Sequence, residues 1–411
     1  MRNLVAPAVY VHERVTRDTR AVARVERMMT KIETPKMITG IDDDELEKVV
    51  EEAGWRESRR LTGIKKVGDP VVIFNAFDFD LPDSETRQGG SDIFRGGGAW
   101  TFRDRDRVMR NGTVCQSGWE LHSVRGCLFR CDYCFLQNVL NIMVNIEEMV
   151  ERLEPLIDAH PQTLYKWDSQ ADILTLEPEY DASRPMGELF GSQDKAFLMH
   201  YTKSDNVDVL RDIAHNGQTM VCWSLSAHTQ SRAIEVDTAT CEERIEAMRK
   251  CQSWGYPVRC RLSPVIPVHN WREENRAMIE LLFSMARPCV ISLQTLSRFP
   301  EYEMMPRTLD LDLLDPSFVE AAKEAEEEMA RRIVGPLPHE KRMEVYRFLA
   351  GEIQRVSPET PFSVCLEAPE LWEELGPEID VSSQAYPCCC GGVCTPGQPI
   401  MAPRSVASPG T

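Results

Sequence analysis

From residue 117 onward, six apolar runs of strand length recur: 119–124, 163–167 (TLYKW), 196–202 (AFLMHYT), 219–226 (TMVCWSLS), 257–265 (PVRCRLSPV) and 289–296 (CVISLQTL). Helical segments lie between them, among them IEEMVERLEPLID, VDVLRDIA, CEERIEAMRKCQSW and REENRAMIELLFSMA. Buried strands alternating with helices predict parallel βαβ units. Six units are too few to close an eight-stranded barrel. The expected α/β fold is therefore an open, partial (β/α)6 barrel with its chemistry at the C-terminal ends of the strands.

The flanks read differently. Residues 1–115 form a small α/β region: a strand at 8–12, a charged helix over about 17–29, a helix at DDELEKVVEEAGW ending near Gly54, a strand at 70–77, and a loop or linker at 81–98. The barrel occupies 116–300. Residues 301–411 bring acidic helices (SFVEAAKEAEEEMARRI, HEKRMEVYRFLAGEIQRV), the segment PFSVCLEAPELWEELG, and a tail rich in Pro, Gly and Cys. No run of eighteen apolar residues occurs, and charges stand in MRNLVAPAVYVHERVTRD where a signal peptide would be apolar, so a soluble cytoplasmic protein is expected, with no membrane contact. Fourteen cysteines in such a chain argue for metal or redox chemistry. With 65 acidic against 47 basic residues the net charge is −18, which disfavours extended nucleic acid unless a local basic groove exists.

The segment GCLFRCDYCFLQN places thiols at Cys127, Cys131 and Cys134. A structural zinc site needs four ligands, and the nearest fourth candidate, His122, lies on the preceding strand. Three thiolates can instead hold three irons of a [4Fe–4S] cluster, leaving the fourth iron open to the amino and carboxylate groups of S-adenosylmethionine (SAM). The C-x3-C-x2-C spacing, with Tyr133 and Phe135 beside the last cysteine, resembles the radical SAM signature. More of the chain resembles the spore photoproduct lyase family: PAVYVHERV, CDYCFLQN, YTKSDNVDVLRDIAHNGQT, VCWSLS, WGYPVRCRLSPVIPVHNW and SVCLEAPELW. That resemblance implies a six-stranded partial barrel with Cys127, Cys131 and Cys134 as cluster ligands, Lys203 on the SAM carboxylate and Ser224 near its ribose. Taken alone, the sequence favours Lys203 as a solvent-exposed surface lysine, and Ser224 reads also as a buried hydroxyl bonded to backbone. Asp168 and Asp172, after the second barrel strand, suit the SAM ribose, substrate hydroxyls, or a turn cap. His228, His269 and Trp271 are further pocket candidates.

Two departures bear on the reaction. The lyases carry a hydrogen-donating cysteine at the end of the second strand, where this chain has KWDSQAD with Gln170 at or beside that position. The tail PCCCGGVCTP adds Cys388, Cys389, Cys390 and Cys394, which suit an auxiliary iron–sulfur cluster, zinc, a thiophilic ion or a thiol relay. Consecutive residues of an extended chain point to opposite sides, so all three adjacent thiols reach one metal only through a sharp turn. The expectation is a radical SAM enzyme acting on a small, nucleoside-like metabolite. It would insert sulfur from the auxiliary cluster, as in thionucleoside antibiotics of the albomycin kind, with electrons from a flavodoxin or ferredoxin. The alternatives are DNA lesion repair with a relocated donor, Cys222 or a tail thiol, and a metal- or arsenic-binding protein on a degenerate barrel.

Overall fold

A computed structural model describes residues 1–55, 68–80, 92–103, 112–134, 136, 138–159, 163–299 and 302–391. All six expected strands are present as neighbours in one sheet, in the order Gly118–Leu121, Leu164–Trp167, Phe197–Thr202, Thr219–Ser224, Val258–Val265 and Ile291–Thr295. Every pairing among them is parallel. Two further strands extend the sheet to eight. Phe362–Val364 joins parallel beside Ile291–Thr295, and Trp100–Arg103 joins antiparallel beside Gly118–Leu121. Thr219–Ser224, near the middle, is buried at every residue, as its near-continuous apolar run requires. The helix Cys241–Ser253 begins at a capping box, with Thr240 and Glu243 satisfying each other's backbone amides.

The boundary expected at residue 115 is not a structural one. A second, five-stranded sheet has the order Met37–Ile41, Val9–His12, Val71–Asn75, Val139–Met143, Val124–Arg125, so two of its strands come from beyond that point. Val139–Met143 follows the cysteine loop and pairs parallel with Val71–Asn75, which folds the loop's exit into the N-terminal region. Its five residues, apolar but for Asn141, run straight on towards the helix Ile146–Ala159, and so short a run carries no period of its own. One hydrophobic core accordingly spans Leu4 to Leu198, and another Val114 to Cys390. The acidic helix expected over 317–333 divides into Pro316–Glu324 and Glu326–Met329. Most of the 81–98 linker lies outside the described residues, and Asp92–Arg95 within it is a short 3-10 turn. No described helix is long and apolar enough to cross a membrane.

The two sheets are tied by a buried guanidinium. Arg24, on the helix Thr19–Met29, donates to the carbonyls of Val144 and Tyr180 at 2.6 Å each and pairs with Glu147 at 2.7 Å. Replacing one partner of such a pair strands the others without water. Arg24→Met is expected to cost about 3 kcal/mol, read as a lower urea midpoint with an unchanged slope.

Candidate active site

The cysteine loop begins at a residue that must be glycine. Gly126 has φ +109°, and a Cβ there would stand 2.0 Å from the Val139 carbonyl oxygen. Beyond it, Arg130–Cys131 pairs antiparallel with Glu235–Val236, and the Asp132 amide donates to the Ile234 carbonyl at 2.9 Å. The loop is thus stitched to the segment that follows the fourth barrel strand. Cys131 is buried, and Cys127 and Cys134 are half-buried. Phe135 lies outside the described residues.

Behind this loop sits a carboxylate that sequence reasoning passed over. Glu235 accepts from Tyr133 Oη at 2.6 Å, Ser226 Oγ at 2.8 Å and Arg244 Nη2 at 2.7 Å, and Lys203 Nζ lies 3.3 Å away. Burial opposes its charge, but Lys203 and Arg244 outweigh that and hold it at about 2. Lys203 Nζ is buried yet makes no hydrogen bond of good geometry, although it keeps that ion pair. An under-satisfied ammonium that shares a cavity lining with Cys134 suits a carboxylate such as that of SAM.

Cys134, Tyr133, Lys203 and Ser224 all line one cavity of about 500 Å³. Ser224 Oγ donates to Tyr201 Oη at 2.9 Å, so it is bonded to a side chain and not to backbone. Gln170 also lines the cavity. Cations dominate elsewhere: Arg103, Lys166, Arg261 and Arg298 join Lys203 in the lining, against Glu120 as the single carboxylate among the described residues. Despite burial, Lys166 and Arg103 keep Glu120 well below the usual carboxylate range. Lys166 and Arg261 both stand near the Tyr201 ring, at 5.2 and 5.3 Å from its centroid. A chain of net charge −18 therefore encloses a basic interior, which the bulk composition gave no reason to expect.

Cysteines line the same space. Cys115, Cys365 and Cys390 face it together with Cys134. Residues 387–391 lie buried against the large sheet, where Arg259 Nη1 donates to the Cys389 carbonyl at 2.6 Å and Arg103 Nη2 to that of Cys390 at 3.2 Å. As an extended chain requires, Cys389 turns the other way: its thiol donates to the Cys260 carbonyl at 3.2 Å and it does not line the cavity. Cys394 lies outside the described residues. Among the described residues, no three Cys, His, Asp or Glu side chains already converge closely enough to hold a single metal ion.

Several expected site residues stand elsewhere. Asp168 is fully buried and accepts from the Ser123 amide and hydroxyl and from the Val124 amide, so it caps that turn and does not line the cavity. Asp172, also outside the lining, accepts from Thr202 Oγ1 at 2.9 Å and from the Lys203 amide at 2.7 Å, which fixes the backbone from which Lys203 projects. His122 faces Thr101 Oγ1 at 3.0 Å, His269 faces the Asp312 carbonyl, His228 pairs with Glu242, and Trp271 packs on Phe318 and Phe348. Cys222 is wholly buried in the core. One pattern in the sequence does mark the polar interior. In VRCRLSPV the polar residues Arg259, Arg261 and Ser263 recur at every second position of a strand buried along nearly its whole length.

Burial raises Asp172 to about 6 in spite of its donors and of Lys203. A carboxyl raised above its unfolded value contributes stability that is complete below about pH 4 and lost as pH climbs through 6. Asp172→Asn removes that slope. Its stability relative to the unaltered protein is expected to improve by up to about 3 kcal/mol from pH 4 to pH 7, measured by urea unfolding at both.

Residues 117–293 match the family model described as spore photoproduct lyase. Spore photoproduct lyase of Bacillus subtilis (strain 168) is 28% identical over 165 residues, which is 38% of this chain and 48% of that protein. The enzyme of Geobacillus sp. (strain Y412MC61) is 25% identical over 170 residues, 39% and 49% respectively. The chain thus matches about half the length of these curated relatives. Solved structures of spore photoproduct lyase, among them a mutant with bound AdoMet and dinucleoside spore photoproduct, superpose with TM-score 0.56 over 88% of this chain and 99% of theirs at 15% identity, a likeness of fold. Over residues 117–293 the chain is thus similar to the spore photoproduct lyase family.

Proposed function

We propose that this protein is a radical SAM enzyme that abstracts hydrogen from a small, anionic, nucleoside-like substrate held in the basic cavity. The observation that carries the reading is the cavity itself, in which Cys134, Tyr133, Lys203 and Ser224 share one lining with Arg103, Lys166 and Arg261. The three thiols of the cysteine loop suit a [4Fe–4S] cluster with one open iron. With SAM bound, such a cluster supplies a 5′-deoxyadenosyl radical that takes a hydrogen atom from carbon.

The chain's own residues do the rest. Lys203 pairs with the SAM carboxylate while Glu235 keeps its ammonium aimed into the cavity. Ser224 and Tyr201 present hydroxyls to the sugar, and Arg103, Lys166 and Arg261 hold the substrate's anionic groups. The walls exclude water from a carbon radical. Electrons come from a flavodoxin- or ferredoxin-type donor in a reducing cytoplasm, the setting in which cysteine-rich metal sites are favoured over disulfides. A second iron–sulfur cluster on tail thiols, supplying sulfur to the substrate, belongs to this reading and draws on the thiols alone, since the relatives are named for a photoproduct.

Lesion repair is the second reading, and one observation favours it. Cys390, a tail thiol, lines the cavity and could donate the hydrogen atom, whereas the other relocated donor considered, Cys222, is sealed in the core.

Reconstituted anaerobically with iron, sulfide and dithionite, the protein is expected to release 5′-deoxyadenosine with a nucleoside phosphate and much less with the bare nucleoside. Lys203→Ala should weaken SAM binding by about 1.5–3 kcal/mol, the worth of a hydrogen bond to a charged group. Turnover of dinucleoside spore photoproduct, with no response to any mononucleotide, establishes repair in place of the first reading.

A further inference from the structure

Four cysteines from three distant parts of the chain meet at the cavity's basic wall. Cys115 precedes the first barrel strand, Cys365 follows the added strand Phe362–Val364, and Cys388 and Cys390 come from the tail. Cys115, Cys365 and Cys390 line the cavity, and Cys388 is buried two residues before Cys390. Two guanidiniums reach the sulfurs directly: Arg261 Nη2 is 3.3 Å from Cys365 Sγ, and Arg103 Nη2 is 3.8 Å from Cys390 Sγ.

We propose that Cys115, Cys365, Cys388 and Cys390 ligate a second iron–sulfur centre, in the cavity that Cys134 also lines. The inference rests on the reading of the tail as cluster-binding and changes its donors: Cys389 and Cys394 give way to Cys115 and Cys365. Chemistry supports the choice in three ways. Thiolates are the ligands of such clusters. A cluster held by four thiolates is anionic, and hydrogen bonds from Arg103 and Arg261 to its sulfurs offset that charge. A single zinc would need four sulfurs each about 2.3 Å from one point, whereas no three described donors already converge on one ion. A cube that gives each sulfur its own iron tolerates wider spacing.

The test is metal content of the full chain, reconstituted anaerobically with iron and sulfide in the presence of zinc, read by elemental analysis and Mössbauer spectroscopy. The unaltered protein should hold about eight irons, as two four-iron clusters. Cys115→Ala and Cys365→Ala should each fall to about four, and the irons they keep, with an unchanged circular dichroism spectrum, show that they have folded. Cys389→Ala and Cys394→Ala should keep all eight. Joint replacement of Cys127, Cys131 and Cys134 by Ala should leave about four. If Cys115→Ala and Cys365→Ala keep every iron, or Cys394→Ala loses half, the donor set is wrong. One zinc beside four irons overturns the iron–sulfur assignment. A total of four irons that survives the triple replacement but not Cys115→Ala upholds this site and defeats the radical SAM reading instead.

Discussion

A guanidinium cannot be taken out of water without acceptors to replace it, and the interior of the large sheet holds several. Arg103, Arg259 and Arg261 are buried or nearly so, and the acceptors they find are mostly backbone and side-chain oxygens of other segments: the carbonyls of Gln116, Cys389 and Cys390, and the amide oxygen of Gln294. Residues 387–391 lie inside the fold because these cations need oxygen there. The tail in turn supplies wall and thiols to the cavity. Remove that requirement and a Pro-, Gly- and Cys-rich segment has little reason to pack against a parallel sheet.

The same constraint shapes the other side of the cavity. Glu235 is fully enclosed and stays ionised because Arg244 and Lys203 face it. Tyr133, between the second and third cysteines of the loop, donates to this carboxylate, so the position of the loop and the position of the lysine are set by one buried charge. Arg244 adds its own anchor, donating to the Ser224 carbonyl at 2.9 Å. One network therefore fixes the cysteine loop, the strand end after Thr202 and the strand end at Ser224.

Much of this was legible in the sequence and some was not. The six strands were readable because parallel strands covered by helices must be apolar on both faces. The cysteine triad was readable because its spacing is local. Val139–Met143 was missed because four apolar residues around Asn141, merging into a helix, carry no period. Cys115 was missed because its partners, Cys365 and Cys390, are remote in sequence and nothing near residue 115 hints at them. The cavity's charge was hidden for a different reason: a net charge sums the whole chain, whereas five cations around one cavity are a property of the fold. Arg259 and Arg261 in VRCRLSPV could have been noticed, since arginines at alternate positions of a buried strand must face something polar. Asp168 and Asp172 were correctly placed after their strand but face backbone amides, a choice that depends on turns only the folded chain reveals.

The pairing of Arg103 with the Cys390 carbonyl joins groups 287 residues apart. During synthesis the strand Trp100–Arg103 is made long before its partner exists, and chain emerges at only about 5–20 residues per second. For tens of seconds Arg103 must therefore stay hydrated while the later strands of the large sheet, the last at Phe362–Val364, are still being made. Closure of so long a loop costs entropy that grows only slowly with its length, so late docking of the tail is thermodynamically affordable even though it comes last. The nascent protein thus passes through a stage in which its cysteine loop is already in place while the basic wall is still accessible. Assembly of the protein is then ordered in time by the position of its residues along the chain.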